Sequence, residues 1–143
     1  MRIVLDTNCL LASLSKRGAY YNVWKGLLEG KYTLCVSNEI LEEYEEIIAQ
    51  KTTPVIALNV VQALLNAPSV ELIDAFFRFE LIQKDPDDNK FVDCAIAGNA
   101  TYVVLNDAHF DILKEIDFPK LILKNLQEFE ASSICVVAFR QPC

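Results

Sequence analysis

Histidine occurs once, at His109, in a chain of 143 residues, and the five cysteines (Cys9, Cys35, Cys94, Cys135, Cys143) include no C-x-x-C pair. A structural zinc site needs several Cys or His ligands at short spacings and a disulfide framework needs an even set of thiols, so neither is expected. Most of the cysteines stand among apolar neighbours, where a reduced thiol acts as a small buried hydrophobe rather than a nucleophile. No apolar run reaches the roughly 18 residues that span a bilayer, and the first one, Ile3 to Leu5, is cut at once by Asp6. A cytoplasmic location is the expectation. Positive charge is also scarce: 13 basic residues against 20 acidic give a formal net charge of -7, which argues against a broad electrostatic footprint for duplex nucleic acid. Carboxylates clustered around cations would be neutralised in the working protein, leaving a local basic rim free to guide phosphates. Linker-like Gly-, Pro- or Ser-rich stretches and internal repeats are missing as well. With 52% hydrophobic residues the chain has material for one core, and residues 1–143 read as a single domain with 131–143 as a C-terminal extension.

What is present is an alternation of strand and helix signals. Arg2-Ile-Val-Leu5, closed by Asp6, has the continuous apolar character of a central parallel strand. Helical pattern follows through Cys9 to Leu14 and from Tyr20 to Leu28, ending near Gly30. Tyr32 to Val36 reads as a second strand, after which Ser37 is placed to cap a helix from Asn38, with Glu39 near its positive end. Ile40, Leu41, Tyr44, Ile47 and Ile48 form the apolar face of that helix, and another runs from Pro54, a suitable first-turn residue, to about Leu65. Val70 to Ile73 is a weaker third strand, and Phe76 to Gln83 fits either strand or helix. Past the turn-like Lys84 to Asn89, a helix carries Phe91, Val92, Ala95 and Ile96 and stops near Gly98-Asn99. Thr101 to Leu105 is a strong strand, His109 to Glu115 a helix, Lys120 to Lys124 a last strand, and Ile134 to Phe139 an extra strand or an association surface. The alternation predicts a three-layer α/β/α sandwich with a central parallel sheet.

In an open parallel sheet, ligands collect outside the carboxyl ends of the strands. Asp6 follows the first strand directly, Asp107 follows Val103-Val-Leu-Asn106, and the turn Asp85-Pro-Asp87-Asp88 opens the helix leading into that strand. Two unit charges about 4 Å apart repel by roughly 4 kcal/mol at an effective dielectric near 20, so gathered carboxylates call for a cation. Oxygen ligands without His or Cys point to Mg²⁺ or Mn²⁺. Asp85 and Asp87 read as solvated turn residues and Asp111 as surface, while Asp93 either reaches the same edge or faces solvent. On the helix from Asn38, a wheel of about 100° per residue turns Glu42 and Glu46 away from the apolar face and leaves Glu43 and Glu45 flanking it. Either of those two can approach a cleft.

Four segments in order, Ile3-Val-Leu-Asp-Thr-Asn8, Ser37-Asn-Glu-Ile-Leu-Glu-Glu-Tyr44, Asp85-Pro-Asp-Asp-Asn89 and Val104-Leu-Asn-Asp107, resemble the signatures of PIN domains, above all the bacterial branch of toxins in toxin-antitoxin pairs. The resemblance covers nearly the whole chain. It implies that Asp6, Glu43, Asp88 and Asp107 form an acidic quartet binding Mg²⁺ or Mn²⁺, choosing Glu43 over Glu45, with Thr7 and Asn8 supporting Asp6 and Asp93 at a variable acidic position. Asn106 stands where a Ser or Thr is often found. The activity implied is metal-assisted phosphodiester hydrolysis of single-stranded RNA, with a separate antitoxin covering the acidic edge; independently of the resemblance, apolar helix surface and the Ile134 to Phe139 segment, more than one small domain needs, point to a homodimer. Lys16, Arg17 and Lys90 are candidate phosphate contacts, each set against a plain solvated surface role, and His109 reads as structural rather than as a general base. The alternatives are a PIN-like module that binds RNA or protein without cutting it, and a Mg²⁺-dependent phosphatase. The latter wants a second Asp where Asn8 stands.

Overall fold

The computed structural model describes residues 1–74, 89–104 and 122–130. The expected elements at Phe76 to Gln83, Lys84 to Asp88, His109 to Glu115 and Ile134 to Phe139 lie outside these residues. Within them the chain runs β1 (Arg2–Leu5), α1 (Thr7–Leu14), α2 (Tyr21–Leu28), β2 (Thr33–Val36), α3 (Asn38–Lys51), α4 (Pro54–Asn66), β3 (Val70–Leu72), α5 (Asn89–Ala97), β4 (Tyr102–Val104), β5 (Ile122–Lys124) and α6 (Leu126–Phe129).

The five strands form one sheet in the order β3-β2-β1-β4-β5, every neighbouring pair parallel. Ile3, Val4 and Leu5 are all buried, as are Leu34, Cys35 and Val36. Successive side chains on a strand point to opposite faces, so burial of every residue means that both faces of the sheet are covered, as in the expected three-layer sandwich. From β1 the chain moves outward through β2 to β3, then returns across β1 to β4 and continues to β5. The strand order therefore reverses between β1 and β4, and ligands of open parallel sheets bind outside the carboxyl ends at such a reversal. Register sets Leu5 against Val104 at that point.

Local sequence accounts for the helix boundaries. Ser37 accepts a hydrogen bond from the Ile40 amide at 3.3 Å and Thr53 one from Ile56 at 3.1 Å, each capping the helix that follows. After α2, Gly30 (φ 74°) occupies the left-handed position of a Schellman motif, with Lys31 N–H on Gly26 C=O at 2.9 Å and Gly30 N–H on Leu27 C=O at 3.1 Å. Asn99 (φ 53°) does the same after α5, where Ala100 N–H meets Ala95 C=O at 2.9 Å. Helix α6 was not among the sequence expectations. It is held by a capping box between Asn125 and Glu128, and its Phe129 packs edge-on against Tyr32 with ring centroids 5.2 Å apart. Among the described residues, no helix is long and apolar enough to cross a membrane.

Candidate metal centre

Asp6 stands at the reversal of strand order. Its amide donates to Val104 C=O at 3.0 Å, tying the end of β1 to the end of β4. Its carboxylate accepts from the Cys9 amide at 2.7 Å, making Asp6 the N-cap of α1, and the positive end of that helix favours the negative charge. The residue is only 3% exposed.

Thr7, the next residue, is buried and donates its hydroxyl to Glu43 Oε2. Glu43 Oε1 receives Lys90 Nζ at 2.6 Å, so the first turn of α1, the middle of α3 and the start of α5 meet at one carboxylate. Tyr44 fixes the approach of α3: fully buried, it donates its hydroxyl to Leu5 C=O at 2.5 Å, on the residue before Asp6. Burial pushes the Tyr44 phenol well above its ordinary pKa, so it stays a proton donor throughout the physiological range. Tyr44 also stacks at a tilt on Phe91 of α5, centroid to centroid 6.5 Å.

Several expectations are resolved by this arrangement. Between the two flanking glutamates, Glu43 is partly buried among these partners and Glu45 is exposed. Thr7 reaches Glu43 rather than Asp6, because the first turn of α1 carries its side chain toward α3; Asn8 is exposed. Glu42 and Glu46 are exposed, opposite the apolar face as the wheel implies, but that position does not keep them from a cleft. Together with Glu39, Glu43, Ile47 and Lys90 they line a cleft of about 360 Å³, since residues three and four apart share one side of a helix. Lys90 is neither a solvated surface lysine nor a side chain directed only at substrate; it is the counter-ion of Glu43. Asp93, at 2% exposed, is not on a solvated face. Lys16 and Arg17 are exposed after α1.

Asp88 and Asp107 lie outside the described residues, as do Asp85, Asp87, Asn106, His109 and Asp111. Asp88 directly precedes α5, and Asp107 comes three residues after the last residue of β4. Among the described residues, no three acidic, histidine or cysteine side chains are grouped so as to hold a metal ion. The thiols of Cys9, Cys35 and Cys94 are buried and unbridged. Burial pushes Cys35 up and Cys94 up to about 12, which keeps both protonated and unreactive.

Beyond the partner of Thr7, sequence reasoning missed what Tyr44 and Lys90 contact. Tyr44 counted only as part of an apolar face, although a hydroxyl among Ile and Leu is itself a signal that a buried acceptor must be near. Nothing local in the sequence links Lys90 to Glu43, 47 residues away.

A parallel α/β sandwich with a buried carboxylate at its switch point defines a class of ligand-binding folds. Within that class, the family model of the PIN domain matches residues 2–109, and the chain belongs to the PIN-domain family. PIN domains are generally nucleases, and those nucleases usually use divalent metals. Among solved structures, a chain in the crystal structure of VapBC2 from Rickettsia felis bound to a DNA fragment from their promoter is similar, with a TM-score of 0.60 and 25% sequence identity. The alignment covers 87% of this chain and 98% of that one. No curated protein matches the chain.

Proposed function

We propose that the protein is a divalent-metal-dependent endoribonuclease that hydrolyses phosphodiester bonds of single-stranded RNA, as the toxin of a toxin-antitoxin pair. The observation that carries this reading is the linkage of Asp6 to Glu43 through Thr7 at the carboxyl end of β1, beside the end of β4. Asp6, Glu43, Asp88 and Asp107 would hold Mg²⁺ or Mn²⁺. Two features support a cation of that kind: the donors are hard oxygens without sulfur or imidazole, and Glu43 already draws a positive group, the Lys90 ammonium, to 2.6 Å. When bound, the cation supplies Lewis-acid polarisation of a phosphate oxygen and an acidified water. The chain's own residues do the rest. Asp6 is fixed by the α1 cap, Thr7 and Tyr44 set the position of Glu43, and Asp93 stands buried on α5.

The VapBC2 likeness supports an antitoxin partner that covers the acidic edge. A homodimer is supported by the outer side of α4, where Val55, Ile56, Leu58 and Leu65 are exposed, with Leu72 exposed on β3. Purified protein with Mn²⁺ or Mg²⁺ is expected to cleave single-stranded RNA, and Asp6→Asn to lose that cleavage by at least about two orders of magnitude while keeping its circular dichroism spectrum. Equal cleavage by wild type and variant, or none by either, would sink the proposal.

A further inference from the structure

Glu43 is engaged at both oxygens. Thr7 gives Oε2 a neutral hydroxyl, so charge compensation falls to Lys90 on Oε1 at 2.6 Å. The two side chains of this ion pair are 18% and 22% exposed, which shields the pair from much of the solvent screening that weakens surface pairs. The ammonium is also anchored from below: it lies 5.6 Å from the centroid of the Phe91 ring, which packs on Tyr44, whose hydroxyl is tied to β1. Lys90 therefore occupies a built position rather than a passing surface contact. A monovalent ammonium and a divalent cation on one carboxylate are like charges competing for the same lone pairs.

Resting on the metal-site reading above, we infer that Lys90 is a positioning residue that acts as an internal counter-cation: it holds Glu43 in the cation-free protein and leaves Oε1 when a divalent ion is bound. Such an exchange keeps the acidic edge from repelling itself apart before loading, and it makes loading a competition in which the protein's own ammonium sets the threshold concentration.

The test compares wild type with Lys90→Met, which keeps an unbranched apolar stem over Phe91, and with Lys90→Arg, which keeps the charge. In EDTA, Lys90→Met is expected to melt below wild type. Calorimetric Mn²⁺ titration is expected to show it binding roughly 3- to 10-fold more tightly than wild type, with a larger Mn²⁺-induced rise in Tm, whereas Lys90→Arg stays near wild type. A purely structural ion pair would lower the EDTA melting point and leave Mn²⁺ affinity unchanged or weaker, and that result overturns the exchange while leaving the metal site standing. Absence of Mn²⁺ binding in every protein overturns the metal-site reading and the exchange with it. The wild type alone supplies a check that needs no variant: the Lys90 ammonium should give a slowly exchanging ¹⁵N resonance in EDTA that is lost on saturation with Mg²⁺. Persistence of that resonance at saturation also overturns the exchange.

Discussion

Thr7 follows Asp6 in the chain and donates its hydroxyl to Glu43, so one small side chain joins the strand end to α3. Replacing it with valine keeps the shape and removes the donor. Thr7→Val is expected to weaken Mn²⁺ binding about 10-fold, the usual scale for losing a partner that orients a metal ligand, while Thr7→Ser retains affinity; equal affinity for all three proteins in a calorimetric titration would remove Thr7 from the site. Residues of this sort were only partly legible in the sequence. Helical periodicity narrowed the α3 acids to Glu43 and Glu45, but both flank the apolar face at similar angles, and only the packing of α1 and α5 against α3 separates them. Thr7 was recognised as a supporting residue and matched to the wrong acid, because proximity in the chain favoured Asp6 and the turn of the helix favours Glu43. For Asp93, burial excludes the solvated alternative.

Helix α5 shows how an element is held in place so that its first turn can serve the site. Its carboxyl end is closed by the Asn99 Schellman motif and clamped by Arg2, whose Nε donates to Gly98 C=O at 2.8 Å while its guanidinium also bonds Glu71 of β3. That guanidinium holds the Glu71 carboxyl below the ordinary carboxylate range. A β-carbon on Gly98 would lie 3.0 Å from Cys94 O, 3.1 Å from Ile73 Cγ1 and 3.3 Å from Cys35 Sγ. Gly98→Ala is therefore expected to destabilise the protein by ~1–3 kcal/mol through overpacking, a fall of several degrees in Tm; an unchanged melting temperature would show that α5 can shift outward freely. At this scale the sequence was most readable where caps and periodicity agree, as in β1, β2, α3 and α4. Helix α6 escaped because four residues are too few to show a helical period, although Asn125 and Glu128 carry the capping-box spacing.

For the molecule as a whole, a net charge of -7 and the acidic side chains along α3 bear on the proposed activity in one way: a polyanionic substrate would be repelled unless cations offset the acids. The topology sets the position of Asp6. Because the chain leaves β1 in one direction and returns to β4 on the other side of it, the strand order reverses between these two strands, the place where open parallel sheets receive ligands, and Asp6 is fastened to both. The alternation of elements and the acids after β1 were visible from spacing alone; the ion pair between α3 and α5 was not, since a contact across 47 residues leaves no trace in local pattern. Crystals grown or soaked with Mn²⁺ and measured at the manganese absorption edge test the central claim most directly. An anomalous peak bounded by Asp6, Glu43, Asp88 and Asp107 is the predicted result, and a peak held by other residues, or none at saturating Mn²⁺, would contradict it.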